Sequence, residues 1–438
     1  MLLTIEKLIY GGDGLARLPA DDRGRGKAVF VPFVLGEEKI EASMIEQKPG
    51  FARAKADAIL SPSAHRVEAA CPYFARCGGC HYQHAAYEHQ LEIKKEILHE
   101  NLRRIAKLEL QSEIRMHPSP PWNYRNRSRF QLRTRPDFAA GYFKFSSHEL
   151  LPVEECPISS PLINRALAAL WRAGRAGKAV EGVREVEFFA NSDDSHILVE
   201  FLCAPEARRA AVRAWAEELC ATMPEFVGVA AFREPQKGIL EPLVAVGASE
   251  LTYQTKTATY RVSAGAFFQT NRFLIDELVK IVTSGRSGEL ALDLYAGVGL
   301  FSTALAGSIR HIVSVELSQT AVGDLKYNLP LNAEVFHTAT DQYLAQRGDN
   351  GRAGNRAVLP LKPDLVVADP PRGGLGDRVA RLLTEVDAPR VSYVSCDPAT
   401  LSRDLLPLQA AGYRVEEVHI VDLFPQTYHL ESVLHLVR

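Results

Sequence analysis

Three stretches of the chain carry residue types that could do chemistry together. Cys396 stands in Ser395-Cys396-Asp397-Pro398 and Asp369 in Asp369-Pro370-Pro371-Arg372, each directly after an apolar run with strand character. In an open parallel sheet, ligands bind beyond the carboxyl ends of the strands. The prolines stop these strands and leave Asp369 and Cys396 at the rim. A free cysteine is more often a small buried hydrophobe than a nucleophile. A place at a strand end, between Ser and Asp-Pro, shifts that balance towards chemistry. The third stretch, His429-Leu430-Glu431-Ser432-Val433, offers a carboxylate on the last strand, although spacing alone does not separate Glu431 from a solvated glutamate.

Upstream, Ala291-Leu-Asp293-Leu-Tyr295-Ala-Gly297-Val-Gly299-Leu-Phe-Ser302 reads as a strand, a glycine loop and a helix start. Gly297 and Gly299 allow a tight turn and close approach of a ligand. The third glycine of a dinucleotide fingerprint is replaced by Ser302, and Glu316 ends the next strand, placed to accept from ribose hydroxyls. With acidic strand ends and no site for a pyrophosphate, S-adenosylmethionine fits better than NAD. The Asp-Pro-Pro element resembles that of amino-methyltransferases, in which an aromatic residue follows and stacks on the base. Here Arg372 follows, so an exocyclic amine is not the expected acceptor. A nearby thiolate points instead to carbon methylation of a pyrimidine. C5 of uracil is too weak a nucleophile for a methyl sulfonium unless a thiolate adds to C6 and turns the ring into an enolate. A base, for which Glu431 is the candidate, must then take the C5 proton so that the cysteine can leave.

A second cysteine group, Cys71-x5-Cys77-x2-Cys80, puts three thiols on one loop, with Cys156 before Pro157 as a fourth. Four thiolates suit a structural zinc or an iron–sulfur cluster, and three bunched ligands with a remote fourth favour [4Fe–4S]. Cys203 and Cys220 lie in apolar contexts and read as packing. Between Trp122 and Arg135 lie Arg125, Arg127, Arg129, Arg133 and Arg135 with Trp122, Tyr124 and Phe130 and no acid. Alternate arginines on a strand share a face, so this stretch is expected to grip nucleic-acid phosphate while its aromatics support bases. Reaching C5 and C6 of a base in folded RNA also requires flipping it out.

These residues must be positioned by a chain of 438 residues, 46% hydrophobic and 24% charged, long enough for about three domains. No run reaches the roughly 18 apolar residues of a membrane span, and no leader peptide is evident, so the cytoplasm is the default. Fifty-one basic against 53 acidic side chains give a net charge of −2, which leaves room for a local basic face. Seven cysteines, an odd number, speak against a disulfide framework. Strands at Ala28–Val34 and Lys39–Glu46, with turns at Gly11–Gly14 and Gly36-Glu37, suggest a small barrel of the oligonucleotide-binding type over residues 1–60. A stripe through Leu91, Leu98, Leu102 and Ile105 predicts a helix. Residues 61–262, with a helix at Leu162–Trp171 and a strand at Ser195–Phe201, read as a central α+β domain. From residue 263 to 438, strands at Leu290–Leu294, Ile309–Val315, Asp364–Ala368 and Arg390–Val394 alternate with helices, the pattern of a doubly wound, Rossmann-like parallel sheet.

Taken together, the chain resembles the S-adenosylmethionine-dependent RNA 5-methyluridine methyltransferases over nearly its whole length. The resemblance implies that the N-terminal strands form a TRAM domain. It also makes Cys71, Cys77, Cys80 and Cys156 the ligands of a [4Fe–4S] cluster, with His148 and Pro157-Ile158 in the expected surroundings. Phe267-Phe-Gln269-Thr-Asn271 matches the family's Phe-x-Gln-x-Asn motif and assigns a cofactor contact to Gln269, as the family does to Tyr295, Glu316 and Asp369. Cys396 becomes the nucleophile and Glu431 the proton acceptor. Ala296 and Leu300 depart from the family's glycine loop, and Ala339 stands where an adenine-contacting Asn or Asp is expected, unless Asp341 substitutes. TRAM plus cluster is the arrangement of the 23S rRNA enzymes, so 23S rRNA is the preferred substrate and transfer RNA the alternative. The chain is expected to act as a monomer. A non-catalytic RNA-binding factor and a redox protein are the competing readings.

Overall fold

The computed structural model describes residues 1–19, 24, 26–234, 240–349 and 362–438. Three large sheets follow one another along the chain.

The first runs in the order Leu2–Thr4, Lys39–Gln47, Phe51–Ser61, Ala28–Pro32, Asp13–Arg17, Lys7–Leu8. Lys39–Gln47 alternates exposed and buried positions at its start, and Ile40 and Ala42 join Val29, Val31, Ala52 and Ala54 in a small core. The expected barrel is not closed by a ladder among the described strands. The two edge strands are successive segments, and the chain between them spans the gap with Ile5 N donating to Glu38 O (2.9 Å) and Glu6 N to Leu15 O (2.7 Å).

The helix expected from Leu91 to Ile105 is Tyr87–Arg104, but its buried face is Gln90, Ile93, Lys94, Ile97, Leu98 and Leu102. Leu91 sits at the margin of that face and Ile105 is the C-cap. The polar members are there because Lys94 Nζ meets Asp422 Oδ1 at 2.5 Å and Gln90 bonds to Gln426.

The central seven-stranded sheet, from Leu150–Pro152 at one edge to Glu241–Gly247 at the other, packs against helices Pro161–Arg175 and Arg209–Cys220 around Phe188, Phe201, Leu167 and Trp215. Pro161 opens the first helix and the Ser160 hydroxyl accepts from Ile163 N, as an N-cap should.

The third sheet has eight strands in the order Ala333–His337, Ile309–Glu316, Gly288–Leu294, Leu365–Ala368, Arg390–Ser395, Glu431–Val437, Arg414–Val421, Ile114–His117. The first five are parallel, and Glu431–Val437 is antiparallel to both its neighbours. This is the doubly wound pattern, with apolar clusters on both faces built around Leu292, Val366 and Leu405 on one side and Ala291, Val367 and Leu278 on the other. The far edge strand, Ile114–His117, comes from the preceding part of the chain and pairs in parallel with Arg414–Val421. Among the described residues, no helix is long and apolar enough to cross a membrane.

Candidate active site and a cysteine-lined cavity

At the carboxyl ends of the parallel strands lies a cavity of about 860 Å³ that brings together Gln269, Tyr295, Gly297, Glu316, Asp369, Cys396 and Glu431. Each arrives by a local rule. Strand Gly288–Leu294 ends in Tyr295, which adopts φ +63°, and the turn continues to Gly299 at φ +96°, the N-cap of helix Leu300–Leu305. The left-handed φ of Gly299 strains any side chain, and a Cβ there would also have to displace Leu325 Cδ1, 2.9 Å away.

Ser302, which breaks the dinucleotide fingerprint, has its own task. Its N–H and hydroxyl both donate to Asp293 Oδ2, and its hydroxyl lies 2.7 Å from Ser314 Oγ. Asp293 Oδ1 is buried with no hydrogen-bond partner. Burial therefore raises this carboxyl to a pKa of about 7 despite the Ser302 bonds.

Glu316 ends the next strand and fixes the loop, taking Gly297 N on Oε2 (2.8 Å) and Leu317 N and Ser318 N on Oε1 (2.8 and 2.6 Å). Asp341 and Ala339 both line the cavity, and Asp341 is 3.4 Å from the Arg378 guanidinium. Asn271 ties its segment to the far wall, its Nδ2 donating to Leu423 O (3.1 Å) and Ser119 Oγ (3.0 Å).

Sheet register places the cysteine beside the glutamate. Ser395 pairs with Ser432 across the antiparallel ladder, so the next residue of one strand, Cys396, meets the preceding residue of the other, Glu431. Burial, then the charge of Asp369, pushes the Glu431 carboxyl well above the ordinary range. Burial and Asp293 raise Asp369 to about 7. The Cys396 thiol is pushed up to about 12 by burial, by Glu431 and by Asp369, with Arg372 pulling the other way. Asp369, Glu431 and the Cys396 thiol in this pocket, with Asp293 buried nearby, thus hold more protons than they would in water, an arrangement suited to a cationic ligand. A role for Tyr10 was not visible in the sequence. Its hydroxyl donates to the Cys396 carbonyl at 3.0 Å across 386 residues, a contact no local pattern signals.

Cys71, Cys77, Cys80 and Cys156 line a separate cavity of about 280 Å³, walled by Phe74, Tyr142 and Ile158. Burial raises the Cys77 thiol to about 11 and that of Cys80 further. Thiolates on one zinc ion would stand about 3.8 Å apart, given Zn–S bonds of about 2.3 Å. No three of these sulfurs come within 4.8 Å of one another. Among the described residues, the group that does so is Glu417, His419 and His435. That group is a hydrogen-bonded network: His435 is held by Ser392 Oγ and Ile281 O, His419 by His117 and Glu417, and Glu417 by Arg115. Four thiols facing one space are a soft donor set of the kind that holds a zinc ion or an iron–sulfur cluster. His148 is not part of this cavity; it lies exposed with its ring against Phe143. All seven cysteines are free, Cys203 is buried in the central core and Cys220 packs against it.

The arginine stretch differs from the face expected of it. Arg127 is buried, its guanidinium bonded to Glu187 (2.5 Å), Glu200 (2.8 Å) and the Ala266 carbonyl (2.6 Å). Arg129 pairs with Glu187 at 2.8 Å, and Tyr124 and Phe130 are fully buried. The compensating acids, absent locally, stand on the neighbouring strands Val183–Ala190 and Ile197–Cys203. Arg125 turns inward and lines both cavities, while Arg133 and Arg135 remain at the surface.

The fold matches the crystal structure of the Pyrococcus abyssi tRNA (uracil-54, C5)-methyltransferase in complex with S-adenosyl-L-homocysteine, with TM-score 0.74 and 24% identity over the full length of both chains. An uncharacterized RNA methyltransferase of Aquifex aeolicus is 32% identical over 98% of this chain and 97% of its own. One from Streptomyces avermitilis is 33% identical over 98% and 96%. The family model described as tRNA (Uracil-5-)-methyltransferase matches residues 86–438, a span that takes in the whole lining of the larger cavity, while Cys71, Cys77 and Cys80 precede it. By that match and by these relatives, the chain belongs to the tRNA (uracil-5-)-methyltransferase family.

Proposed function

We propose that the protein is an S-adenosylmethionine-dependent methyltransferase acting on C5 of a uridine in 23S rRNA. The observation that carries this reading is the register that sets Glu431 beside Cys396 at the floor of a cavity shared with Asp369 and the glycine loop. S-adenosylmethionine supplies the methyl group as a sulfonium. Gln269, Tyr295, Gly297, Glu316 and Asp369 hold it. A cationic ligand bound in this cavity would favour the ionised forms of the groups that burial keeps protonated.

The Cys396 thiolate adds to C6 of the flipped base, and the electron pair of the C5–C6 double bond moves into the enolate. C5 then takes the methyl group and S-adenosylhomocysteine leaves. The Glu431 carboxylate removes the C5 proton, the double bond re-forms, and the Cys396 thiolate is expelled. The balance is one S-adenosylmethionine and one uridine to S-adenosylhomocysteine, 5-methyluridine and a proton.

The six-stranded sheet over residues 1–60 serves as a TRAM-like RNA grip, and 263–438 as the catalytic domain. The central part, 61–262, holds a [4Fe–4S] cluster through Cys71, Cys77, Cys80 and Cys156. This combination is the ground for preferring 23S rRNA.

Anaerobically purified protein, S-adenosylmethionine, and either a 23S rRNA transcript or a transfer-RNA mixture test the reading, with nucleoside mass spectrometry scoring 5-methyluridine. Product on the 23S transcript alone, lost in Cys396→Ala, is the expected result. Product on transfer RNA keeps the mechanism and moves the substrate. No product on either, from protein with bound cofactor, overturns the assignment.

A further inference from the structure

Tyr10-Gly11-Gly12-Asp13-Gly14 enters the sequence only as a turn, yet it reaches into the catalytic end of the molecule. Ile9 N donates to Asp13 O and Gly12 N to Ile9 O, so the segment doubles back tightly. Gly12 has φ +94°, and a Cβ there would come within 3.0 Å of the His81 side chain. The turn is therefore pressed against the residue that follows Cys80, and the Tyr10 side chain extends beyond it.

Two contacts fix that ring. Its hydroxyl donates to Cys396 O at 3.0 Å, and its ring meets Tyr428 edge-on at 5.5 Å. Tyr428 in turn packs against His81 at 4.6 Å and His429 at 4.3 Å, and His429 lines the catalytic cavity. The backbone of the same loop is pinned from the cysteine side, with His81 N and Tyr82 N both donating to Gln426 O at 2.9 and 3.0 Å.

From its other side, the peptide after Cys396 is held by the cap of helix Pro398–Ala410, where Asp397 Oδ1 accepts from Ala399 N and Thr400 N. Cys396 stands just past the end of its strand, beyond the last paired residue, Ser395. Its carbonyl therefore takes its hydrogen bond from outside the ladder, from the N-terminal sheet. Burial raises the phenol above its usual range, which keeps it a donor throughout the working pH range.

The geometry points to Tyr10 as a positioning residue for the nucleophile: the N-terminal sheet orients Cys396 as well as gripping RNA. This rests on the proposed role of Cys396. A single lost hydrogen bond of about 1 kcal/mol corresponds to roughly a fivefold rate change. Tyr10→Phe is therefore expected to lower kcat about five- to tenfold, with KM for RNA and for S-adenosylmethionine within twofold and the melting temperature little moved. Gly12→Ala, which pushes the turn off His81, should reproduce the kcat loss without touching Tyr10 itself.

The readout independent of turnover is alkylation of Cys396 by iodoacetamide in the full-length, RNA-free protein, followed by peptide mass mapping against pH. The donated proton favours the adjacent thiolate, so the profile of Tyr10→Phe should move to higher pH. An unchanged profile with unchanged kcat overturns the inference. So does a loss confined to KM or to melting temperature, which would make Tyr10 a grip or a prop. If the wild type forms no 5-methyluridine, the proposed function fails, and the alkylation profile still decides the role of Tyr10.

Discussion

The two cysteine-lined cavities described above are built in opposite ways. Around Cys396 the walls come from strand ends held by a ladder, and the thiol is single, surrounded by carboxyls. Around Cys71, Cys77, Cys80 and Cys156 the walls come largely from turns, and four thiols share an aromatic lining. A thiol among carboxyls that must change protonation is equipped for turnover, and four thiols in a loop pocket are equipped to hold something still. Among the described residues, Arg125 lines both spaces.

The sharpest test of that contrast exchanges single thiols. Cys396→Ala should abolish 5-methyluridine formation, by more than about 10³-fold, with iron content and melting temperature unchanged. Cys80→Ala should do the reverse in kind, losing bound iron and sulfide and lowering the melting temperature by about 5 °C while S-adenosylmethionine still binds. Equal phenotypes in the two variants would erase the distinction.

Next in size is Glu431→Gln, expected to slow turnover by about 10²–10⁴-fold while a protein–RNA adduct accumulates on denaturing gels. Loss of turnover with no adduct would instead place Glu431 before the addition step.

A third prediction concerns pH. The Asp293 and Asp369 carboxyls are raised to about 7, above their unfolded values. Stability from their protonated forms is complete below about pH 4 and is lost as pH rises through about 7. Thermal melts of the cofactor-free protein should thus decline from pH 5 to 8, whereas affinity for the cationic cofactor should climb over the same interval. Asp369→Asn should flatten both trends.

The smallest expected effect is that of Ser302→Ala, which removes one hydroxyl bond to Asp293 and should weaken cofactor binding about fivefold by calorimetry, roughly 1 kcal/mol.

What the sequence made legible was local. The strands at Leu290–Leu294, Ile309–Val315 and Arg390–Val394 stand within a residue or two of their positions in the sheet, because apolar runs bounded by polar or turn-forming residues define themselves. What escaped depended on distant partners. The acids that neutralise Arg127 and Arg129 lie more than 50 residues away, so the stretch looked uncompensated. Strand Ile114–His117 is four residues long and has meaning only beside Arg414–Val421. The buried face of helix Tyr87–Arg104 includes Lys94 and Gln90, which apolar periodicity passes over because their partners, Asp422 and Gln426, come from the other end of the chain. The nearness of Glu431 to Cys396 follows from ladder register, which spacing along the chain does not encode; family motifs raised the residue to notice.

That ladder makes the separation of Cys396 and Glu431 a digital quantity. Side chains on a strand alternate faces and advance about 3.3 Å per residue. A slip of one position would exchange Glu431 for Ser432 and turn Val433, Leu434 and Leu436 out of the cores they fill. The loop before the strand can therefore gain or lose residues over evolutionary time without detuning the pair, since the strand acts as a ruler that can be read only at whole marks.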